Sequence, residues 1–259
     1  MVAIAMLSCK DFNLLSNTLS SYKKHGLLEL IKEKLIFFQN PSPEKQALAK
    51  KYGFKCISCN KKKFDAGASW KTLLNNITSK YALMLEDDYP IIESQEEMEK
   101  QLKTCLYLLK HNKVSIIRLI HNKHPGDESD LVKKYMKYYP GQENKIDFLK
   151  FIKRKMHAGD SRKVIGASVY VHKHPEKIHP HEIIKYNDHC FITSSKYLAW
   201  RKQSVFINKD WALNILDKAK SGVFNTQKTM EKALNGNWWN EQNFPIAVCT
   251  GLFSHQNSV

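Results

Sequence analysis

An α/β fold with a mostly parallel central sheet flanked by helices is predicted by three features of the chain. Apolar runs of strand length alternate with helical periodicities through residues 2–120, the succession that builds parallel sheets. Several of these runs, VAIAMLS at 2–8 and YALML at 81–85 among them, are apolar throughout, as strands buried on both faces are. The second of them ends abruptly in Glu86, Asp87 and Asp88, at the strand end where open α/β sheets bind ligands.

The elements follow in order. Residues 2–8 read as a buried strand. Asp11 to Ser21 open a helix whose Leu14, Leu15, Leu19 and Tyr22 share a face. Residues 34–39 (KLIFFQ) form a second strand, closed by Asn40-Pro41-Ser42-Pro43. Pro43 suits the first turn of a helix that runs to Tyr52, with Gly53 past its end. Residues 54–58 are a third strand, Ala68 to Ser79 a helix, and the acid-tipped segment a fourth strand. Ser94 with Glu97 has capping-box spacing for a helix to about His111. Residues 114–120 (VSIIRLI) are a fifth strand.

The second half is less regular. Pro125-Gly126 and Pro140-Gly141 mark turns in a Lys-rich stretch, 121–163. Within it Ile146, Leu149, Ile152 and Met156 keep helical spacing beside Lys145, Lys150, Lys153, Arg154 and Lys155. That pattern suits a peripheral membrane contact or an acidic acceptor, and it equally describes a surface helix with a solvated basic face. Residues 164–171 (VIGASVYV), 190–194 and 245–253 read as strands, and 210–221 and 226–234 as helices. No repeat or linker interrupts the chain, so one domain is expected, with a ligand-binding half at 1–121 and a second half at 122–259.

Composition narrows the partners. Of the 259 residues 42% are hydrophobic, ordinary for a globular protein, and 41 Lys+Arg against 25 Asp+Glu give a formal charge of +16. This excess favours anionic partners. Lys dominates it, and Lys is a point charge rather than a bidentate base reader, so no sequence-specific nucleic-acid partner is expected. Cys9, Cys56, Cys59, Cys105, Cys190 and Cys249 are scattered; only Cys56-x-x-Cys59 is paired, and free thiols in a reducing, cytoplasmic setting are expected. The N-terminus lacks a basic leader, and no apolar run is long enough to cross a membrane.

The chemistry centres on Glu86-Asp87-Asp88. Grouped carboxylates beyond a buried strand suit a Mg²⁺ or Mn²⁺ ion that also holds a substrate phosphate. The plain alternative is an exposed acidic turn. The same strand-end rule places Ser8, Lys10 and Asp11 near a bound nucleotide, with Gln39 and Asn40 on the next loop. Asp11 fits a helix N-cap as well.

The strand–helix series, the stretch DAGASWKTLLNNITSKYALMLEDD and the terminal GLFSH together resemble nucleotide-sugar glycosyltransferases of the GT-A fold, family 2-like. The resemblance is good over residues 2–121 and loose beyond. Asp65-Ala66-Gly67 matches the family's small-residue turn, Lys71 lies in the helix that follows, and Glu86-Asp87-Asp88 matches a D-x-D-type motif with Glu in first place. The resemblance implies sugar transfer, hexosyltransferase-like and expected to be inverting, from a nucleoside-diphosphate sugar to a glycan, lipid or protein acceptor. It implies a metal site of Asp88, Glu86 and His255, with the imidazole favouring Mn²⁺ over Mg²⁺. Gly67, Lys71, Glu86 and Asp87 would contact the donor. An acceptor base is expected in the second half: Glu231, with Asp188 and Asp210 as competitors. Trp238 and Trp239 offer a sugar-stacking platform or core packing. The histidines at 172–189 lack zinc-site spacing.

Two other classes compete. A nucleotidyltransferase would carry a Gly-rich loop after the first strand, where this chain has SCKDFN. A nucleic-acid-binding module would explain the charge, but no recognition motif accompanies it.

Overall fold

The computed structural model describes residues 1–58, 66–126, 130–139, 148–200, 204–220, 234 and 237–256. Its first half follows the expected succession: β1 (Val2–Ser8), α1 (Phe12–Lys24), a short α2 (Leu27–Leu30), β2 (Glu33–Phe38), α3 (Pro43–Lys51), β3 (Lys55–Ser58), α4 (Ala66–Asn75), β4 (Tyr81–Glu86), α5 (Gln95–Lys110) and β5 (Ile116–Ile120). Local chemistry sets the helix starts. Asp11 accepts from the Leu14 amide at 2.9 Å, and Ser42 from the Lys45 amide at 3.2 Å, with Pro43 in the first turn. Ser94 caps α5 through the Glu97 amide at 3.2 Å. Glu97 does not complete a capping box; its carboxylate accepts from Gln101 at 2.9 Å and meets His189 at 3.1 Å.

The later elements are α6 (Asp130–Tyr138), α7 (Phe148–Met156), α8 (Ala158–Arg162), a 3₁₀ segment (Ile165–Tyr170), α9 (Pro175–Ile178), β6 (Ile184–Asn187), β7 (Cys190–Ser194), β8 (Val205–Asn208), α10 (Lys209–Lys220), a short helix (Asn237–Glu241) and β9 (Pro245–Phe253). The expected strand at 164–171 is therefore a 3₁₀ segment. A short apolar run does not distinguish a strand from a buried helical turn, and Gly166 fits closely here: a Cβ on it would lie 2.9 Å from that of Leu198. The expected helix at 226–234 lies outside the described residues except for Leu234.

The nine strands of the described residues form one sheet in the order β3-β2-β1-β4-β8-β5-β9-β7-β6. β3, β2, β1 and β4 are parallel, so their carboxyl ends share one edge. β8, unassigned from sequence, enters antiparallel between β4 and β5. β9 runs parallel to β5, while β7 and β6 extend the edge antiparallel. The sheet is mixed, parallel mainly in its first half. Side chains alternate between two cores: Ile4, Met6, Ile36, Phe38, Leu83 and Leu85 face one layer, and Ala3, Ala5, Leu35, Phe37, Ala82 and Met84 the other. Small alanines on the second face leave room for the fully buried Trp70 of α4.

One irregularity positions residues 253–256. β5 advances two residues, from Arg118 to Ile120, while β9 advances five, from Val248 to Phe253. The extra residues swing β9 over the end of β5. Gly251 permits this with φ +94°, and a Cβ on it would meet the Ile120 carbonyl oxygen at 2.3 Å. Beyond the bulge Phe253 bridges Ile91, the Ser254 amide donates to the Pro90 carbonyl at 3.1 Å, and the Gln256 amide donates to the Asp88 carbonyl at 2.9 Å.

Gly251→Ala forces both a left-handed backbone and a clash. We expect it to destabilise the fold by about 2–4 kcal/mol in urea melts; a cost under about 0.5 kcal/mol would show that the bulge is not tightly held.

Candidate functional site

The acids that end β4 are buried: Glu86 is 7% exposed, Asp87 0% and Asp88 1%. They are not a solvated acidic turn, and adjacent buried carboxylates demand partners. Asp87 finds them in the loop after β1. Its Oδ2 accepts from Ser8 Oγ at 2.6 Å and from the Lys10 amide at 3.0 Å, and its carbonyl accepts from Thr18 Oγ1 at 3.0 Å. Burial raises the Asp87 pKa, against the hydrogen bonds from Ser8 and Lys10 that favour its ionised form. Asp87 thus braces the β1–α1 loop, with Ser8 buried against it.

Asp88 faces outward from this brace toward two nitrogens. Its Oδ2 lies 3.4 Å from Lys10 Nζ and 3.3 Å from His255 Nε2. Burial pulls the Lys10 pKa down, but Asp88, by charge and hydrogen bond, more than offsets it and the net shift is upward. The His255 ring packs against Tyr89 with centroids 5.1 Å apart, and its amide donates to the Pro125 carbonyl at 3.1 Å. Asp87 Oδ1 and Asp88 Oδ1 are buried and find no hydrogen-bond partner among the described residues. A buried carboxylate oxygen so placed calls for a cation or a ligand donor. No group of three or more His, Cys, Asp or Glu side chains converges as a metal cage among the described residues. Among the described residues the site offers a carboxylate and an imidazole, Asp88 and His255, donor types that can hold a divalent cation such as Mn²⁺.

The loops after β1 and β2 are tied together beside these acids. The Gln39 amide donates to the Ser8 carbonyl at 3.0 Å, and Gln39 Nε2 reaches Ser69 Oγ of α4 at 3.3 Å. Lys45 Nζ donates to the Lys10 carbonyl at 2.6 Å and the Asn40 carbonyl at 3.4 Å. Ser8, Lys10, Gln39, Asn40, Glu86, Asp87, Asp88 and His255 are thus brought to one edge, with Gly67 in the first turn of α4. Asp11 serves as the α1 N-cap. Lys71 is turned to α10, where it pairs with Asp217. Asp188 sits in the β6–β7 turn, 84% exposed and 2.7 Å from Lys185, which lowers its pKa by hydrogen bond and charge. Four strand steps separate β7 from β4, roughly 20 Å at sheet spacing. Asp65, Cys59 and Glu231 lie outside the described residues. Asp210 opens α10 as an exposed residue. Trp239 is core, its indole donating to the Leu198 carbonyl at 2.8 Å, while Trp238 is half-buried beside Phe244. His172 and His179 share the Tyr135 hydroxyl, each at 3.0 Å, and burial holds His179 down at about 4.

Sequence reasoning missed the supports. His121, directly after β5, pairs with Glu93 at 2.7 Å and accepts from the His124 amide at 2.9 Å, shaping the turn that meets His255. Gly126, legible only as a turn, has φ +86°, and a Cβ there would lie 2.1 Å from the His255 carbonyl oxygen. Lys45 gave no signal, since its role is a long-range backbone contact.

No protein-family model and no curated protein matches the sequence. Solved structures do match the fold, which is that of GT-A-type glycosyltransferases. TarS from S. aureus (residues 1–349) aligns over 98% of this chain with a TM-score of 0.53 at 10% identity. The same protein crystallised with UDP-GlcNAc gives 0.52 at 8% identity. Glucosyl-3-phosphoglycerate synthase from Mycobacterium tuberculosis, in complex with Mn²⁺, UDP and glucosyl-3-phosphoglycerate, gives 0.50 at 9% identity over 100% of this chain and 73% of its own. The chain spans 60% of the length of the TarS fragment.

Cys9, beside the acids, reports on their charge. Burial, then Asp87, Glu86 and Asp88, push its thiol up to about 12. At pH 8 we expect iodoacetamide to label Cys9 at least about tenfold more slowly than free cysteine, by site-resolved mass spectrometry. Labelling at the free-thiol rate would contradict the buried negative cluster.

Proposed function

We propose that this protein is a metal-dependent glycosyltransferase that moves a sugar from a nucleoside-diphosphate sugar to an acceptor hydroxyl. The observation that carries the reading is Asp88: a buried carboxylate at the end of β4, 3.3 Å from His255, with one oxygen left without a hydrogen-bond partner among the described residues. Open α/β sheets bind ligands beyond the carboxyl ends of their parallel strands, the edge at which Asp88 lies, which supports the reading. UDP-GlcNAc on TarS and UDP with Mn²⁺ on the M. tuberculosis synthase support a uridine nucleotide and Mn²⁺ as the first ligands to try.

In this reading Asp88 and His255 hold the cation, with Glu86 beside them. When bound, such a cation offsets the negative charge that builds on a departing diphosphate. Asp87 fixes the β1–α1 loop so that Lys10 stays at the mouth of the site. Lys10 now neutralises Asp88, and an arriving cation would free its ammonium for a phosphate oxygen. Gln39, Asn40 and Asp11 border the space for base and ribose, and Gly67 the far side. An inverting transfer also needs the acceptor hydroxyl to lose its proton. The exposed, Lys-paired turn of Asp188 does not suit this, so we assign the role to Glu231.

Asp88→Ala is expected to lower sugar transfer at least about a hundredfold while leaving the thermal midpoint within a few degrees. In the wild type, a UDP-sugar at about 100 times its Kd should stabilise by roughly 2.7 kcal/mol, and only when Mn²⁺ is present. Undiminished transfer by Asp88→Ala would sink the reading. Glu231→Gln should cut kcat about a hundredfold or more with donor binding unchanged; normal turnover would move the base elsewhere.

A further inference from the structure

Helix α7, FLKFIKRKM, turns its apolar side outward. Phe148 is 67% exposed, Leu149 69%, Ile152 38% and Met156 74%. At about 100° per residue these four fall within one arc of roughly 100° on the helix surface. None of the residues of α7 is buried. The helix leans on the body instead through Arg154, whose guanidinium lies 5.4 Å from the ring centroids of both Tyr139 and Phe151. Single exposed apolar residues are ordinary, but a contiguous stripe marks an interaction face.

The charges around the stripe identify its partner. α7 holds Lys150, Lys153, Arg154 and Lys155 and no acid. Arg162 and Lys163 continue the basic run past a lone Asp160, which lies 3.9 Å from Lys163. Cores of protein–protein interfaces are depleted in lysine, whereas lysine stems beside an apolar stripe are suited to a lipid boundary, where they lie along the hydrocarbon and keep the ammonium in water. Lys155 flanks the stripe, its ammonium 4.9 Å from the Phe151 ring centroid. At about 1.5 Å per residue the helix is far too short to cross a bilayer, so it fits lying in the plane of the surface. Among the described residues no helix is long and apolar enough to span.

We propose that α7 docks this protein on an anionic membrane surface, with Phe148, Leu149, Ile152 and Met156 entering the headgroup–acyl boundary and Lys153 and Lys155 meeting lipid phosphates. The proposal goes beyond the catalytic reading and does not depend on it.

The test is co-sedimentation of the full chain with vesicles of neutral phosphatidylcholine, alone or with about one-third phosphatidylglycerol. The wild type should bind the anionic vesicles at least about tenfold more strongly than the neutral ones, and more weakly in high salt. A Phe148→Ser/Leu149→Ser/Met156→Ser variant should lose at least about tenfold in binding to the anionic vesicles with an unchanged thermal midpoint. Lys153→Glu/Lys155→Glu should lose a similar factor on anionic vesicles only. If the apolar variant folds and binds as well as the wild type, or the wild type does not sediment with anionic vesicles, the proposal is overturned. Concentration-dependent self-association abolished by the serine variant, without vesicle binding, would identify the stripe as a protein interface and overturn it equally. Should the triple variant unfold, Leu149→Ser alone carries the same comparison.

Discussion

Two adjacent carboxylates buried at one strand end are the constraint around which this protein is arranged. Asp87 and Asp88 are at most 1% exposed, and ionised groups so placed are tolerated only when charge or hydrogen bonds compensate them. The two are compensated differently. Asp87 is bound inward by Ser8 and the Lys10 amide, which fixes the loop after β1. Asp88 is met by side chains from two distant parts of the chain, Lys10 and His255, and each carboxylate keeps one oxygen without a hydrogen-bond partner among the described residues.

His255 arrives through backbone rather than side-chain chemistry. The bulge at Gly251 bends β9 over the end of β5, and hydrogen bonds to Pro90, Asp88 and Pro125 hold the final residues against the acid-bearing segment. Gly126 clears the space for the His255 carbonyl. Two residues with no side chain therefore set the distance between the site's carboxylate and its imidazole. The parallel strands β1 to β4 supply the acids and loops, and β9, which runs in the same direction as β5, brings residues 254–256 to that edge.

Much of this was legible because it is local. The strands of the first half announced themselves as apolar runs, Asp11 and Ser94 as caps, and Glu86-Asp87-Asp88 as acids where a parallel strand ends. What was not legible depends on pairing at long range. β8 is four residues long, too short for a period to show. The 164–171 segment has strand composition, yet Gly166 packs it against Leu198 as a 3₁₀ segment. The different fates of Asp87 and Asp88 rest on which neighbour each carboxylate faces, something adjacent letters cannot encode. Lys71 and Asp188 fitted the family pattern or the chemistry by type, and their ion pairs with Asp217 and Lys185 appear only once α10 and the β6–β7 turn are placed.

The central claim is that Asp88 and His255 together grip a cation that holds a diphosphate. Titrating Mn²⁺ into the protein in the presence of UDP, followed by the loss of the free-ion electron paramagnetic resonance signal, tests it directly. The wild type should bind one ion, with Asp88→Ala and His255→Ala each weakening it at least about tenfold and both remaining folded. Equal Mn²⁺ affinity in the wild type and in a folded Asp88→Ala protein would contradict the account.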